Sequence, residues 1–399
     1  MKKKVFFITG SRAEYGLLQG LIKRFDDSNS FDLKIIVSGM HLLDQFGGTA
    51  KEIKKDGYKI SHKVYMDLKS DSERDISYAI SKGIKGFSDI FEKEKPSLVI
   101  VLGDRFEIFS AAVACMIYRI PIAHLHGGES TETLIDEPIR HSITKMSHLH
   151  FTSTEQYRDR VIQLGENPSK VFNVGAIGID NIFDLKLHSK KELENIINFK
   201  FNKTNLLVTY HPVTLEKGTS KKYFKNLLRA INSLPETNII LTKANADMEG
   251  GLINEIIEDY TEKNPTKSVS FSSMGQVNYL SAMKYVDGVV GNSSSGIIEA
   301  PSLKVGTLDI GNRQKGRIKA TSIINCGSSY QEIQKGLEQL LSVPFKKKLS
   351  RVKNPYGKGG TAEKIFNIIN NEALEGLLKK EFFDPVSYTH LPLPTTPYV

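Results

Sequence analysis

Between residues 98 and 141, two apolar runs each empty directly into a chemically loaded loop, and this arrangement constrains the fold of the chain more than any other feature. Leu98-Val-Ile-Val-Leu102 reads as a buried strand and leads into Gly103-Asp104-Arg105. Ile120-Pro-Ile-Ala123 reads as the next strand and leads into His124-Leu-His126-Gly-Gly-Glu129, with Asp136, Glu137, Arg140 and His141 a few residues on. Open parallel sheets bind ligands at the carboxyl ends of their strands, so acids, bases and arginines gathered there are candidates for an active site.

The rest of the chain repeats the pattern. Apolar runs at 5–8 and 33–37 alternate with helical spacing at 17–25, a charged helix at 51–55 and a helix at 80–91, and further strand candidates follow at 149–152 and 171–174. A charged, helical-looking run at 186–195 gives way to a linker candidate at 202–204. A second alternating set then begins, with apolar runs at 206–209, 238–241, 268–271, 286–290 and 305–310. Alternation of this kind predicts an α/β protein of two Rossmann-like domains with a cleft between them, at 1–180 and 200–360, and a terminal helix within 361–385. The segment 386–399 has no period of either kind and several prolines. It reads as a non-native tail resembling a translated library adapter, with the authentic chain ending near Pro385 or continuing beyond it.

Charge and cysteine content bound the partners. The net charge of +9 comes from lysines spread along the chain rather than gathered in a stripe, and no basic-aromatic module appears, which argues against nucleic acid. An anionic small substrate needs only a few arginines. The two cysteines, Cys115 and Cys326, lack metal-ligand spacing and fit a reducing cytoplasm. The amino-terminal apolar run is too short for a signal-peptide core or a membrane span, so a soluble protein is expected.

Val289-Val-Gly-Asn-Ser293-Ser294-Ser-Gly296-Ile-Ile-Glu299 reads as a strand, a hydroxyl-rich loop and a helix start. Backbone N–H groups and serine hydroxyls at such a start can hold a diphosphate, and Glu299, expected on the first turn, can accept from ribose hydroxyls. The plainer reading is a serine-capped helix. Arg12, in Gly10-Ser-Arg12-Ala-Glu14-Tyr15, and Arg105 would neutralise a leaving diphosphate from one side, with Arg313 and Arg317 acting from the other. His124 and His126 alternate on one extended segment. As a metal pair they would take Glu129 or Asp136 as a third ligand; acid-base or hydrogen-bonding roles are the favoured alternative, and no metal is assigned. His211, before Pro212, follows a strand and would face the cleft. No G-x-G-x-x-G or Walker loop occurs, which argues against nicotinamide, flavin and P-loop chemistry.

Taken together and in order, these motifs, with Asp136-Glu-Pro-Ile-Arg-His-Ser-Ile-Thr-Lys145 and Asn354-Pro-Tyr-Gly357, resemble those of the hydrolysing UDP-N-acetylglucosamine 2-epimerases over about residues 1–385. The likeness is strongest to the bacterial sialic-acid-pathway type, with the legionaminic-acid-pathway enzymes nearly as similar. The resemblance implies a glycosyltransferase-B-like fold with UDP on the second domain and the sugar facing the first. It implies Asp104, Asp136 and His211 as catalytic residues. Ser293, Ser294, Gly296, Glu299, Arg12, Arg105, Asn245 and Arg317 become nucleotide contacts. One departure stands out: many relatives have a glutamate where this chain has His126, which leaves Glu129 as the nearest carboxylate for the proton at C2.

The resemblance also implies anti-elimination of UDP to 2-acetamidoglucal, then hydration to N-acetylmannosamine, without a cofactor. The diacetamido-trideoxy analogue is the alternative sugar, and a homodimer or homotetramer is the expected assembly. The rival readings are a glycosyltransferase on the same scaffold, which would need an acceptor, and a silent sugar-nucleotide sensor, which would form no product.

Overall fold

A computed structural model describes residues 2–43, 48–70, 72–131, 135–213, 218–244 and 249–385. Seven strands form the first sheet: β1 (Lys3–Thr9), β2 (Phe31–Ser38), β3 (Ile60–Val64), β4 (Leu98–Leu102), β5 (Ile122–Leu125), β6 (Leu149–Thr152) and β7 (Val171–Asn173). All their pairings are parallel, in the order β3-β2-β1-β4-β5-β6-β7. A second parallel sheet holds β8 (Thr204–Thr209), β9 (Thr237–Thr242), β10 (Ser268–Phe271), β11 (Gly288–Gly291), β12 (Thr307–Ile310) and β13 (Ile323–Cys326), in the order β10-β9-β8-β11-β12-β13. The predicted pair of Rossmann-like α/β domains is therefore what the chain forms.

In both sheets the order reverses beside the first strand, between β1 and β4 and between β8 and β11. Loops at such a switch point diverge to opposite faces and leave a crevice between them. The loops at these two places are Gly10-Ser-Arg12 with Gly103-Asp104-Arg105, and Tyr210-His211 with Asn292-Ser293. Topology alone thus sets four of the loaded loops at the two crevices.

The central strands β1 and β4 are buried on both faces, consistent with their unbroken apolar runs. Val5, Phe7, Ile35 and Ile100 pack on one face of the first sheet, and Phe6, Ile8, Val99 and Val101 on the other. The second sheet has its own two cores, around Leu206, Val208 and Val290 and around Leu207, Ile240 and Val289. A small apolar cluster of Tyr157, Ala176, Ile179, Ile297, Ile298 and Tyr356 joins the two. No described helix is long and apolar enough to cross a membrane.

The structure departs from the sequence reading in several places. β3 and β13 are strands that periodicity did not reveal; both lie at sheet edges and are only partly buried. The residue taken as the end of a linker, Thr204, begins β8. The charged run at 186–195 contributes the shorter helix Lys190–Ile196. The terminal helix spans Thr361–Asn371 and ends well before Lys380. That helix belongs to the first sheet's core: Ile365 and Ile369 are buried with Leu18, Leu21 and Phe25, and Phe366 meets Phe25 edge-on at 5.2 Å. Its first turn has no side-chain cap of its own, and Asp180 accepts from Thr361 N (2.9 Å) and Ala362 N (2.6 Å) instead. The 386–399 tail lies outside the described residues.

Candidate active site

The β4 and β5 loops are bound together by one histidine. His124 is fully buried, and desolvation pulls it down to about 3, so it is neutral. Its Nε2 lies 2.8 Å from the Gly103 carbonyl, which can only accept, so Nε2 carries the proton and Nδ1 accepts from Thr144 Oγ1 at 3.2 Å. His124 thereby fixes the backbone immediately before Asp104.

His126 does not share that face. Its φ of +66° takes the chain off the strand, and its Nε2 accepts from Ile177 N at 3.3 Å. Nδ1 then donates to Glu129 Oε1 at 3.1 Å. With all four ring nitrogens engaged elsewhere, the two histidines do not form the metal pair that their alternation suggested. No cluster of metal-ligating side chains occurs among the described residues.

Glu129 is 2% exposed and fully satisfied. Oε1 also accepts from Ser153 Oγ at 3.0 Å, and Oε2 pairs with Arg317 Nη2 of the second domain at 2.9 Å. Burial alone would raise this carboxyl, but Arg317, His126 and Arg140 outweigh it and hold Glu129 well below the usual carboxylate range. Gly128 before it is required, because at φ +77° a Cβ would stand 2.3 Å from the Tyr157 carbonyl.

Asp104 is held by Arg140, a buried arginine on the helix Asp136–Met146. Arg140 donates to Asp104 Oδ2 through Nε at 2.8 Å and again through Nη2. It also donates to Glu129 O (2.8 Å), Glu137 Oε2 (2.7 Å) and Thr131 Oγ1 (3.0 Å). Desolvation opposes ionisation of Glu137, but bonds from His141, Thr131 and Arg140 bring it down to about 2. Asp136 opens the same helix one turn before Arg140, half-buried. The sequence reading named Arg140 and Glu137 in passing and gave them no role. The available signal was position: Arg140 shares the buried stripe of its helix with Ile143 and Thr144, where an arginine survives only with strong partners.

On the second domain, Asn292 ties β8 to β11: His211 N donates to its Oδ1 and its Nδ2 donates to His211 O, both at 2.7 Å. His211 is buried at 7% exposure. Gly291, at φ +134°, brings β11 so close to Thr209 that a Cβ would meet its carbonyl at 1.9 Å. Ser293 caps the short helix Ser294–Ile298 by accepting from Ser295 N. Glu299 follows that helix instead of sitting on its first turn. The helix is only five residues long, so Glu299 caps its carboxyl end and is carried to Gly178 of the first domain. A Cβ at Gly178 would stand 2.6 Å from Glu299 Oε1, so any larger residue there would have to displace the carboxylate. Burial raises Glu299 to about 7, and its Oε2 has no hydrogen-bond partner among the described residues.

The arginines lie around the same crevice. Arg12 opens the helix Arg12–Asp26 behind a Ser11 and Glu14 capping box, pairs with Glu52, and has its Nη2 3.1 Å from the Cβ position of Gly275 in the second domain. Arg105 makes a bidentate pair with the buried Glu107, both distances 3.1 Å. Arg313 donates to Asn292 O at 3.2 Å, close beside Ser293. Arg317 has two buried N–H groups, Nε and Nη1, with no partner among the described residues. Asn245 lies outside the described residues.

The model of the UDP-N-acetylglucosamine 2-epimerase family matches residues 23–370. The chain belongs to that family. It is 41% identical, over 96% of its length and 99% of the relative's, to the Campylobacter jejuni GDP/UDP-N,N'-diacetylbacillosamine 2-epimerase (hydrolyzing). It is 37% identical to the Escherichia coli polysialic acid biosynthesis protein P7, over 99% of this chain and 100% of that one. It is 28% identical to a Neisseria meningitidis UDP-N-acetylglucosamine 2-epimerase, over 96% and 99%. Among solved structures, the Neisseria meningitidis UDP-GlcNAc 2-epimerase bound to UDP-GlcNAc shares the fold with a TM-score of 0.79 at 19% identity, covering 92% of this chain and 100% of that one.

Proposed function

We propose that this family member is a hydrolysing UDP-sugar 2-epimerase that releases UDP and the free 2-epimeric 2-acetamido sugar. The observation that supports it most is the Glu129–Arg317 contact, which joins the carboxylate loops of the first domain to the 311–317 loop of the second, whose Arg313 lies against the serine loop. Ser293, Ser294, Gly296 and Glu299 hold the nucleotide in this reading. Arg12, Arg105, Arg313 and Arg317 face its diphosphate, with Asn245 as a further contact.

The hydrogen at C2 is not beside a carbonyl, so direct inversion lacks a stabilised carbanion. Loss of UDP from C1 supplies the alternative. A base takes the C2 proton, its bond electrons form the C1–C2 double bond, and the C1–oxygen bond breaks with its electrons leaving on the diphosphate. Water then adds at C1 while an acid returns a proton to C2 from the opposite face. Asp104, Asp136, Glu129 and His211 are the groups available for these transfers, with His126 acting through the N–H that it gives to Glu129. His124, neutral and saturated, holds the loop and takes no part.

Two sugars compete as substrate. Relatives named for N,N'-diacetylbacillosamine, at 41% and 36% identity, favour the sugar bearing a second acetamido group. The 28% identical relative is named for UDP-N-acetylglucosamine, and that sugar is the second reading, giving N-acetylmannosamine. Side-by-side rates on the two UDP-sugars choose between them. For the reaction itself, product formed in heavy water is expected to carry deuterium at C2, and water labelled with heavy oxygen is expected to place its label at C1. Product that keeps its original C2 hydrogen, or a UDP-linked epimer as sole product, rules out hydrolytic elimination.

A further inference from the structure

The Glu129–Arg317 contact pairs two residues that the proposed reaction needs apart. Glu129 is the carboxylate nearest the His126 loop, and Arg317 is a diphosphate contact, yet each holds the other at 2.9 Å. Arg317 is poorly satisfied in this state. Its side chain is 11% exposed, Nη2 donates to Glu129, and the buried Nε and Nη1 have no partner among the described residues. A guanidinium carries five N–H donors in a planar fork that matches carboxylate or phosphate oxygens in pairs. One monodentate carboxylate contact leaves most of that capacity unused.

Glu129, in contrast, does not depend on Arg317 to stay in place. Its Oε1 is held by Ser153 and His126, and its carbonyl by Arg140. Loss of Arg317 would free only Oε2. The two ends of the pair also lie on different domains, and Gly316, the residue before Arg317, lies so close to the first domain that a Cβ there would meet Ser130 Oγ at 2.7 Å.

We propose that Glu129 and the substrate diphosphate compete for Arg317, so that nucleotide binding withdraws the guanidinium and frees Glu129 Oε2 for proton transfer. This rests on the nucleotide-binding reading above and adds a coupling to it: one arginine makes the carboxylate available only when a leaving group is in place. The chemistry fits. Arg317 is the largest of the attractive influences holding Glu129 low, so its transfer to the diphosphate raises the basicity of the carboxylate. The same transfer sets a cation on the departing phosphate. No bond is made or broken in the exchange; an ion pair moves from carboxylate to diphosphate.

The test is a double-mutant cycle read by UDP titration calorimetry. In Glu129→Gln the competitor is gone, so UDP is expected to bind tighter than to the wild type, with Kd lower by about fivefold or more, while turnover falls. Arg317→Gln is expected to weaken UDP binding. Adding Glu129→Gln to that background is expected to leave Kd for UDP unchanged. Uridine, which has no phosphate, is expected to bind the wild type and Glu129→Gln alike. Should Glu129→Gln fold poorly, Glu129→Asp, shorter by one methylene, is expected to tighten UDP by an intermediate factor. Equal or weaker UDP binding by Glu129→Gln, or a gain that persists in the Arg317→Gln background, overturns the exchange. Failure of the wild type to bind UDP overturns the nucleotide reading as well, so the two failures are distinguishable.

Discussion

Buried against Gly178, Glu299 keeps one carboxylate oxygen without a hydrogen-bond partner among the described residues, and desolvation raises it from its ordinary 4.5 to about 7. Because the folded value lies above the unfolded one, its contribution to stability is full below about 4.5 and is lost as pH rises through about 7. Ligand binding reverses this preference. In the proposed nucleotide-binding role, ribose hydroxyls would donate to the ionised carboxylate, so binding would expel the proton whenever the free protein holds one. UDP affinity is therefore expected to rise with pH up to about 7 and then level off. UDP has its own ionisation, which Glu299→Gln shares. The wild type minus variant difference in calorimetric Kd isolates the residue, and no difference in slope would refute the ribose assignment. Asp104 gives a contrasting expectation. Anchored by Arg140, it lies in the carboxylate cluster and not beside the serine loop, so Asp104→Asn is expected to cost roughly a hundredfold or more in kcat while UDP still binds. Near wild-type turnover would remove it from the proton-transfer set.

At the level of elements, the clearest dependency is the helix Thr361–Asn371, whose first N–H groups are satisfied by Asp180 from far back in the chain. Asp180→Ala strips both charge-assisted bonds from that helix start and is expected to cost about 1–3 kcal/mol in a denaturant titration. A change under a few tenths of a kcal/mol would show that the carboxylate contributes nothing there. No pattern in the sequence could disclose this cap, since the two ends of the contact are separated by most of the second domain. The same limit explains the missed strands. β1, β4 and β8 were legible because burial on both faces demands unbroken apolar runs, whereas β3 (Ile-Ser-His-Lys-Val) and β13 (Ile-Ile-Asn-Cys) are edge strands with polar residues facing outward. In the sequence Glu299 reads as lying on the first turn of its helix, whereas Ser293 caps that helix six residues earlier and Pro301, two residues on, disfavours α-helix at Ala300 and marks the early end.

Across the whole molecule, the loops at the two switch points were readable because chemistry and strand endings coincide in sequence. The links between the two halves were not. Arg317 with Glu129, Tyr157 hydroxyl with Tyr356 hydroxyl at 3.1 Å, and Glu299 with Gly178 all join residues more than a hundred positions apart. The packing of the Thr361–Asn371 helix onto the helix Arg12–Asp26 has a further consequence, which concerns the order of events on the ribosome. The first sheet is synthesised early, but the side chains that complete its core, Ala362, Ile365 and Ile369, are made only after the whole of the second sheet. The second sheet is contiguous from β8 to β13 and needs nothing from beyond its own stretch to pair its strands. Domains of a growing chain usually close from the amino terminus onward. Here the half that emerges first is completed only after the second sheet has been made, and until then Leu18, Leu21 and Phe25 lack their covering helix.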